Sequence, residues 1–162
     1  MKKLKTILIT VSLALVVFSS PAQDKLMDSI NDAISRSNSD TQRINRINNK
    51  LQVTAMRNLD TTINIATDAL KTAIKINYYK GEFDLRIRLI MTYSFKGLYP
   101  EARQQMDTVQ QIIQSDRDSI DYTDLYGARG LYYGIQSKFD SSIIWLNHAI
   151  RISERLKLKK LL

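Results

Sequence analysis

Residues of matching size recur at a spacing of 40 along this chain. Leu59, Tyr99 and Phe139 form one rung, Thr62, Ala102 and Ser142 a second, and Ala69, Val109 and Ala149 a third. A recurrence of this length marks a stack of helix pairs. Each unit carries an apolar face that it cannot bury alone, so neighbours pack into one elongated core with a long exposed surface. No segment alternates with period two, and the expected fold class is all-α.

Apolar spacing places the helices. Leu26, Met27, Ile30, Ala33 and Ile34 predict a short N-terminal helix over 24–38. Ser37 to Thr41 then breaks the pattern, with Asp40 and Thr41 as the expected acceptors for the first free amides of a helix carrying Ile44, Ile47, Leu51 and Ala55. After a turn at Asn58 to Asp60, Ile63, Ala66, Ala69, Leu70, Ala73 and Ile74 make the partner helix. Tyr79-Lys80-Gly81 is expected to punctuate the chain before a second pair, whose first helix carries Leu89, Ile90 and Tyr93 and closes at Gly97. Pro100 suits the first turn of the next helix, where its missing N–H costs nothing. Gln114 to Asp121 reads as the turn into a third pair, with helices over Tyr122 to Gln136 and Asp140 to Lys157. The units are therefore about 41–77, 80–115 and 122–157 of a body spanning 41–162.

Residues 1–22 read as an export signal. Lys2, Lys3 and Lys5 precede an apolar run from Ile7 to Phe18, and small residues at Ser20 and Ala22 suit cleavage after Ala22. The run is short for a membrane span of roughly 20 residues, so the expected location is the periplasm or the outer face of the inner membrane. Membrane attachment is expected only with an uncleaved signal or a span further downstream. The formal charge is +8, of which those three lysines supply part. Arg43, Arg46, Lys50 and Arg57 share one helix face, read as a solvated face with an anion- or partner-binding stripe as the alternative. The other basic residues are spread rather than striped, which argues against a nucleic-acid partner.

The residue inventory argues against catalysis and cofactors. Cysteine is absent and His148 is the single histidine, too few ligands for an ordinary zinc site. Asp116, Asp118, Asp121 and Asp124 cluster near a turn, but their spacing does not match a calcium-binding loop. No nucleophile signature or phosphate-cradling glycine loop is present.

The sizes along the third unit carry a family likeness. Tyr126, Gly130 and Tyr133 place a large, a small and an aromatic residue on its first helix, while Ser142, Leu146, Ala149 and Ile150 follow as small, large, small and aliphatic on its second. Leu89, Tyr93, Gly97, Tyr99, Ala102, Met106 and Val109 fit the same frame in the second unit, with Ile90 at a usually small place. The first unit fits through Thr62, Ala66, Ala69 and Leu70. Its first helix is displaced by one, because Ile47 and Leu51 are apolar where the frame gives Arg46 and Lys50; a turn one residue shorter would restore the register. Arg129 stands where leucine is usual. This pattern resembles the tetratricopeptide repeat. With the signal and the Ile76-Asn77-Tyr78-Tyr79-Lys80-Gly81 link, it is similar to the extracytoplasmic N-terminal region of Bacteroidetes sensor kinases and LuxR-type regulators. The resemblance implies a right-handed α-α superhelix of about three hairpins behind a short helix, acting as a non-catalytic protein-interaction module. A stand-alone periplasmic scaffold is the alternative.

In that family the first helix of each pair lines a concave face. The resemblance therefore assigns the partner groove to Asp84, Ile87, Met91 and Phe95 of the second unit and Asp124, Gly127, Leu131 and Ile135 of the third. That lining is largely apolar and lacks the Lys, Arg and Asn of carboxylate-gripping relatives, so an apolar or aromatic peptide segment is the expected occupant. Packing of Phe95 and Met91 against a neighbouring helix is the plainer alternative. Gly127, Gly130 and Gly134 share a helix face, each at a cost of about 1 kcal/mol against Ala. Close helix packing is the expected compensation, with a notch in the groove as the alternative. The last helix carries Ile143, Leu146, Ile150 and Leu156 on one side, a width that asks for a neighbour. Either a fourth unit, begun at 158–162 and truncated, or a second copy of the chain would meet that demand.

Overall fold

The computed structural model describes residues 28, 30–32, 34–56, 58–116 and 119–161. Among them the regular structure is wholly helical, with no strand. Helical residues at 28, 30–32 and 34–35 precede α1 (Asp40–Thr54), α2 (Leu59–Lys75), α3 (Tyr79–Lys96), α4 (Tyr99–Asp116), α5 (Ser119–Ile135) and α6 (Phe139–Leu161). The export signal with Ala22, and also Arg57, Arg117 and Asp118, lie outside the described residues. No helix among the described residues is long and apolar enough to cross a membrane.

Local chemistry sets the helix ends. Ser39 caps α1, its hydroxyl accepting from the Gln42 N–H at 3.2 Å, and the Gln42 amide oxygen accepts from the Asn38 N–H at 3.1 Å. The cap thus falls one residue before the expected Asp40, which instead pairs with Arg43 at 2.9 Å. Asn58 caps α2 by accepting from the Thr61 N–H at 3.0 Å. At their C-termini α2, α3 and α5 close alike. Asn77, Gly97 and Ser137 have φ of 55°, 78° and 60°. Around each, two reverse hydrogen bonds satisfy the last carbonyls: Tyr78 to Ala73 and Asn77 to Ile74, Leu98 to Tyr93 and Gly97 to Ser94, Lys138 to Tyr133 and Ser137 to Gly134.

Three expectations about turns are corrected. Gly81 does not punctuate the chain; it is buried in the first turn of α3, where a Cβ would fall 2.4 Å from the Tyr78 ring and 2.8 Å from Ile44. Its lack of a side chain lets α3 approach α1. Most of the turn expected over Gln114 to Asp121 is helical instead, because α4 continues to Asp116 and α5 starts at Ser119. The link from α1 to α2 is also longer rather than shorter, residues 55–58 against 97–98 between α3 and α4.

Helices adjacent in sequence pack together throughout, and α3 packs on both α1 and α5. Two apolar clusters result. One joins Ile30, Ile44, Ile47 and Leu51 to Ala66, Ala69, Leu70 and Ala73 of α2, and to Leu85 and Leu89 of α3. The other joins Phe83 and Ile90 of α3 to Ala102, Met106, Val109 and Ile113 of α4, and to Leu125, Ala128 and Tyr132 of α5. Helix α3 is therefore buried on two sides, each fully buried Leu, Ile or Phe contributing about 1.5–3 kcal/mol. Ile47 and Leu51 point inward while Arg46 and Lys50 are exposed, as the displaced register requires. Two rungs of the 40-residue recurrence are buried in all three units: Thr62, Ala102 and Ser142, and Ala69, Val109 and Ala149. The Thr62 and Ser142 hydroxyls each donate to a carbonyl of the other helix of their own pair or its cap, Ala55 at the end of α1 at 3.3 Å and Gly130 of α5 at 2.8 Å. Buried hydroxyls with such partners incur no desolvation penalty.

Candidate functional site

The surface carried by α1, α3 and α5 contains a cavity of about 290 Å³. Asn48, Asn49 and Gln52 come from α1; Asp84, Ile87, Arg88 and Met91 from α3; and Asp124 from α5. The inward set of Ile47 and Leu51 turns Asn48 and Gln52, one helical turn apart, toward α3. On α3, Ile87 and Met91 pack their inner sides on the second apolar cluster and present the rest to the cavity.

The polar groups are unevenly satisfied. Lys80 pairs with Asp84 at 2.6 Å. Burial lowers the Arg88 pKa from its ordinary value, with the Asp84 carboxylate opposing that shift. The Asn48 side-chain oxygen and the Arg88 Nε are both buried without a hydrogen-bond partner among the described residues. One is an acceptor and the other a donor. With Lys80 on Asp84, two cations stand against the two carboxylates here, and the unpaired acceptor and donor suit a neutral group offering both an N–H and a C=O.

Of the groove residues expected from sequence, Asp84, Ile87, Met91 and Asp124 come together in this cavity. Phe95 is 40% exposed near the C-terminus of α3. Leu131 and Ile135 are half-buried on α5 and lie outside the cavity. Gly127 faces open space, with nothing within 4 Å of where a Cβ would stand. Close packing therefore fails as the reason for Gly127. It holds for Gly130, where a Cβ would meet the Leu146 side chain at 2.6 Å, and Gly134 sits close to Ser142 at 3.2 Å. His148 is exposed, its ring 5.8 Å from both Tyr126 and Trp145.

Asn48, Asn49, Gln52 and Arg88 were not among the expected residues, and the view that Arg and Asn are missing from the groove is corrected. The signal was present in the displaced register of α1. Forty residues before Asp84, Ile87, Met91 and Phe95 stand Ile44, Ile47, Leu51 and Ala55, all buried. One residue further stand Asn45, Asn48, Gln52 and Met56, and two of these line the cavity. Asn45 accepts from the Tyr78 hydroxyl at 2.9 Å, tying α1 to the turn before α3. No family model, no curated protein and no solved structure matches this chain.

Proposed function

We propose that this chain is a non-catalytic interaction module, a right-handed tetratricopeptide-like solenoid whose α1–α3–α5 surface binds an extended peptide. The observation carrying this reading is the uncommitted pair at the cavity, Asn48 Oδ1 and Arg88 Nε. A peptide main chain supplies the complementary N–H and C=O at one residue, and apolar side chains on either side of it meet Met91, Leu131 and the exposed Phe95. The packing of α3 on both α1 and α5 supports a continuous first-helix face, and the repeated closing turns support repeated hairpins. By the likeness of residues 1–22 to an export signal, the module works in the periplasm or on the outer face of the inner membrane, as the sensory part of a membrane signalling protein. A stand-alone scaffold is the alternative.

A displayed library of random dodecapeptides, panned on the purified chain, tests the groove. Binders rich in apolar or aromatic residues are expected, with affinity reduced at least tenfold by Met91→Glu, Leu131→Glu and Asn48→Ala. Binders indifferent to all three substitutions would reject the assignment.

A second reading has its own observation. Phe139, Ile143, Leu146 and Ile150 form an exposed apolar strip along α6, larger than solitary exposed side chains would make. It continues the kind of face that α2 and α4 use to receive α3 and α5, and we assign it to a second copy of the chain. Light scattering should give twice the monomer mass for the native protein and the monomer mass for the Ile143→Glu, Ile150→Glu double variant. A native monomer at every concentration excludes self-association.

A further inference from the structure

A second cavity, of about 300 Å³, opens on another side of α5. It lies between α4 and α6, which make no extended contact with each other. Arg103 and Asp107 come from α4, Arg129, Tyr132 and Tyr133 from α5, and Trp145 from α6. The Arg129 guanidinium stands 4.8 Å from the centre of the Trp145 ring. Among the described residues no carboxylate pairs with it. A guanidinium held over a ring by a cation–π contact keeps its in-plane N–H donors available for a bidentate acceptor. Arg103 is exposed, with its hydrogen-bonding contact to Tyr132 and its attraction to Asp107 both favouring the charged form. Tyr132 in turn meets Tyr133 edge-on at 5.2 Å.

The recurrence makes the two arginines informative. The residue 40 before Arg129 is Leu89, fully buried in the core. The residues 40 before and 40 after Arg103 are Ile63 and Ile143. The place of Arg129 is apolar in the second unit and that of Arg103 is apolar in both other units, and the two guanidinium groups face one aromatic-walled cavity. Two cations against the single carboxylate of Asp107 leave this lining positive, whereas charges around the groove cavity balance. Its volume is at the small end of those that hold organic ligands.

We propose that this cavity is a binding site for an aromatic carboxylate, its ring against Tyr133 and Trp145 and its anionic end on Arg129 and Arg103. The ligand is either a free aryl acid or the C-terminal carboxylate of a peptide ending in an aromatic residue. Charge-assisted bidentate bonds fix the acid, and the rings reject acids that lack a flat apolar part. The site is independent of the peptide groove.

Trp145 is the single tryptophan of the chain, so its emission reports directly on this cavity. Titration of the full chain with 3-phenylpropanoate should change that emission saturably, with calorimetry giving the same dissociation constant. Binding of 3-phenylpropanamide, which lacks the charge, and of acetate, which lacks the ring, should be at least tenfold weaker. A hexapeptide ending in phenylalanine, compared with 3-phenylpropanoate, distinguishes the two sources by whichever binds more tightly. Arg129→Leu installs the residue that the second unit has at this place, and Arg103→Leu alters an exposed position without touching the Trp145 contact. Each should weaken 3-phenylpropanoate at least tenfold, measured by calorimetry, with unchanged helical circular dichroism. Equal affinity for acid and amide, no saturable binding of any of the probes, or unchanged affinity in the Arg103→Leu variant would overturn the proposal.

Discussion

Helices α4 and α6 hold equivalent places 40 residues apart, yet one is covered and the other bare. Met106 is 5% exposed and its counterpart Leu146 is 42% exposed; Tyr99 is half-buried, whereas Phe139 is 64% exposed. The strip on α6 is the more apolar of the two, since Ile143 and Ile150 stand where α4 has Arg103 and Gln110. What differs is the neighbour. Helix α5 lies over α4, and among the described residues α6 packs extensively on α5 alone. An apolar pattern thus states a demand for burial, and the next helix decides whether the demand is met.

The contrast can be broken by mutation. Chemical denaturation of Met106→Ala should show a loss of about 2–5 kcal/mol, the usual range for truncating a buried long aliphatic chain. Truncation on the bare strip, Ile150→Ala, should change stability by no more than about 0.5 kcal/mol. Equal losses at both positions would show that α6 is covered in solution. The two faces of α5 sharpen the same contrast. Gly130→Ala pushes a methyl into Leu146 and should cost about 1–3 kcal/mol, whereas Gly127→Ala faces open space and should gain up to about 1 kcal/mol of helix propensity. A loss at Gly127 would place a neighbour over that surface. Smaller again, Ser137→Gly relieves a non-glycine residue at positive φ and should raise stability by about 0.5–1 kcal/mol in thermal melts. Lys96 and Asp60 pair across α3 and α2, the aspartate largely in solvent and the lysine partly so; a double-mutant cycle should return about 0.2–1 kcal/mol, falling with added salt.

Much of the helical order was legible because burial follows helical spacing. Ile44, Ile47 and Leu51, the two buried rungs and the closing Gly97 were all readable from side-chain size and backbone freedom. Other features depended on neighbours. The positive φ at Asn77 and Ser137 carries no glycine signal. Gly81 reads as a break in one dimension, but it makes room for Tyr78 and Ile44 in three. In the groove, the α3 contribution was legible while that of α1 was missed, although its displaced register already pointed to Asn48 and Gln52. The aromatic cavity left one trace, Arg129 in a leucine place, whose meaning needed Trp145 from another helix.

The left-handed residues at 77, 97 and 137 act as a metronome. One residue gained or lost inside a helix between two of them would rotate the side chains that follow in that helix by about 100° about its axis. Buried rungs would swing into solvent and both cavities would lose a wall. Links can absorb a residue, as the displaced α1 shows, but helix length changes most simply by whole hairpins, so a longer or shorter version of this protein should differ from it mainly by blocks of about forty residues.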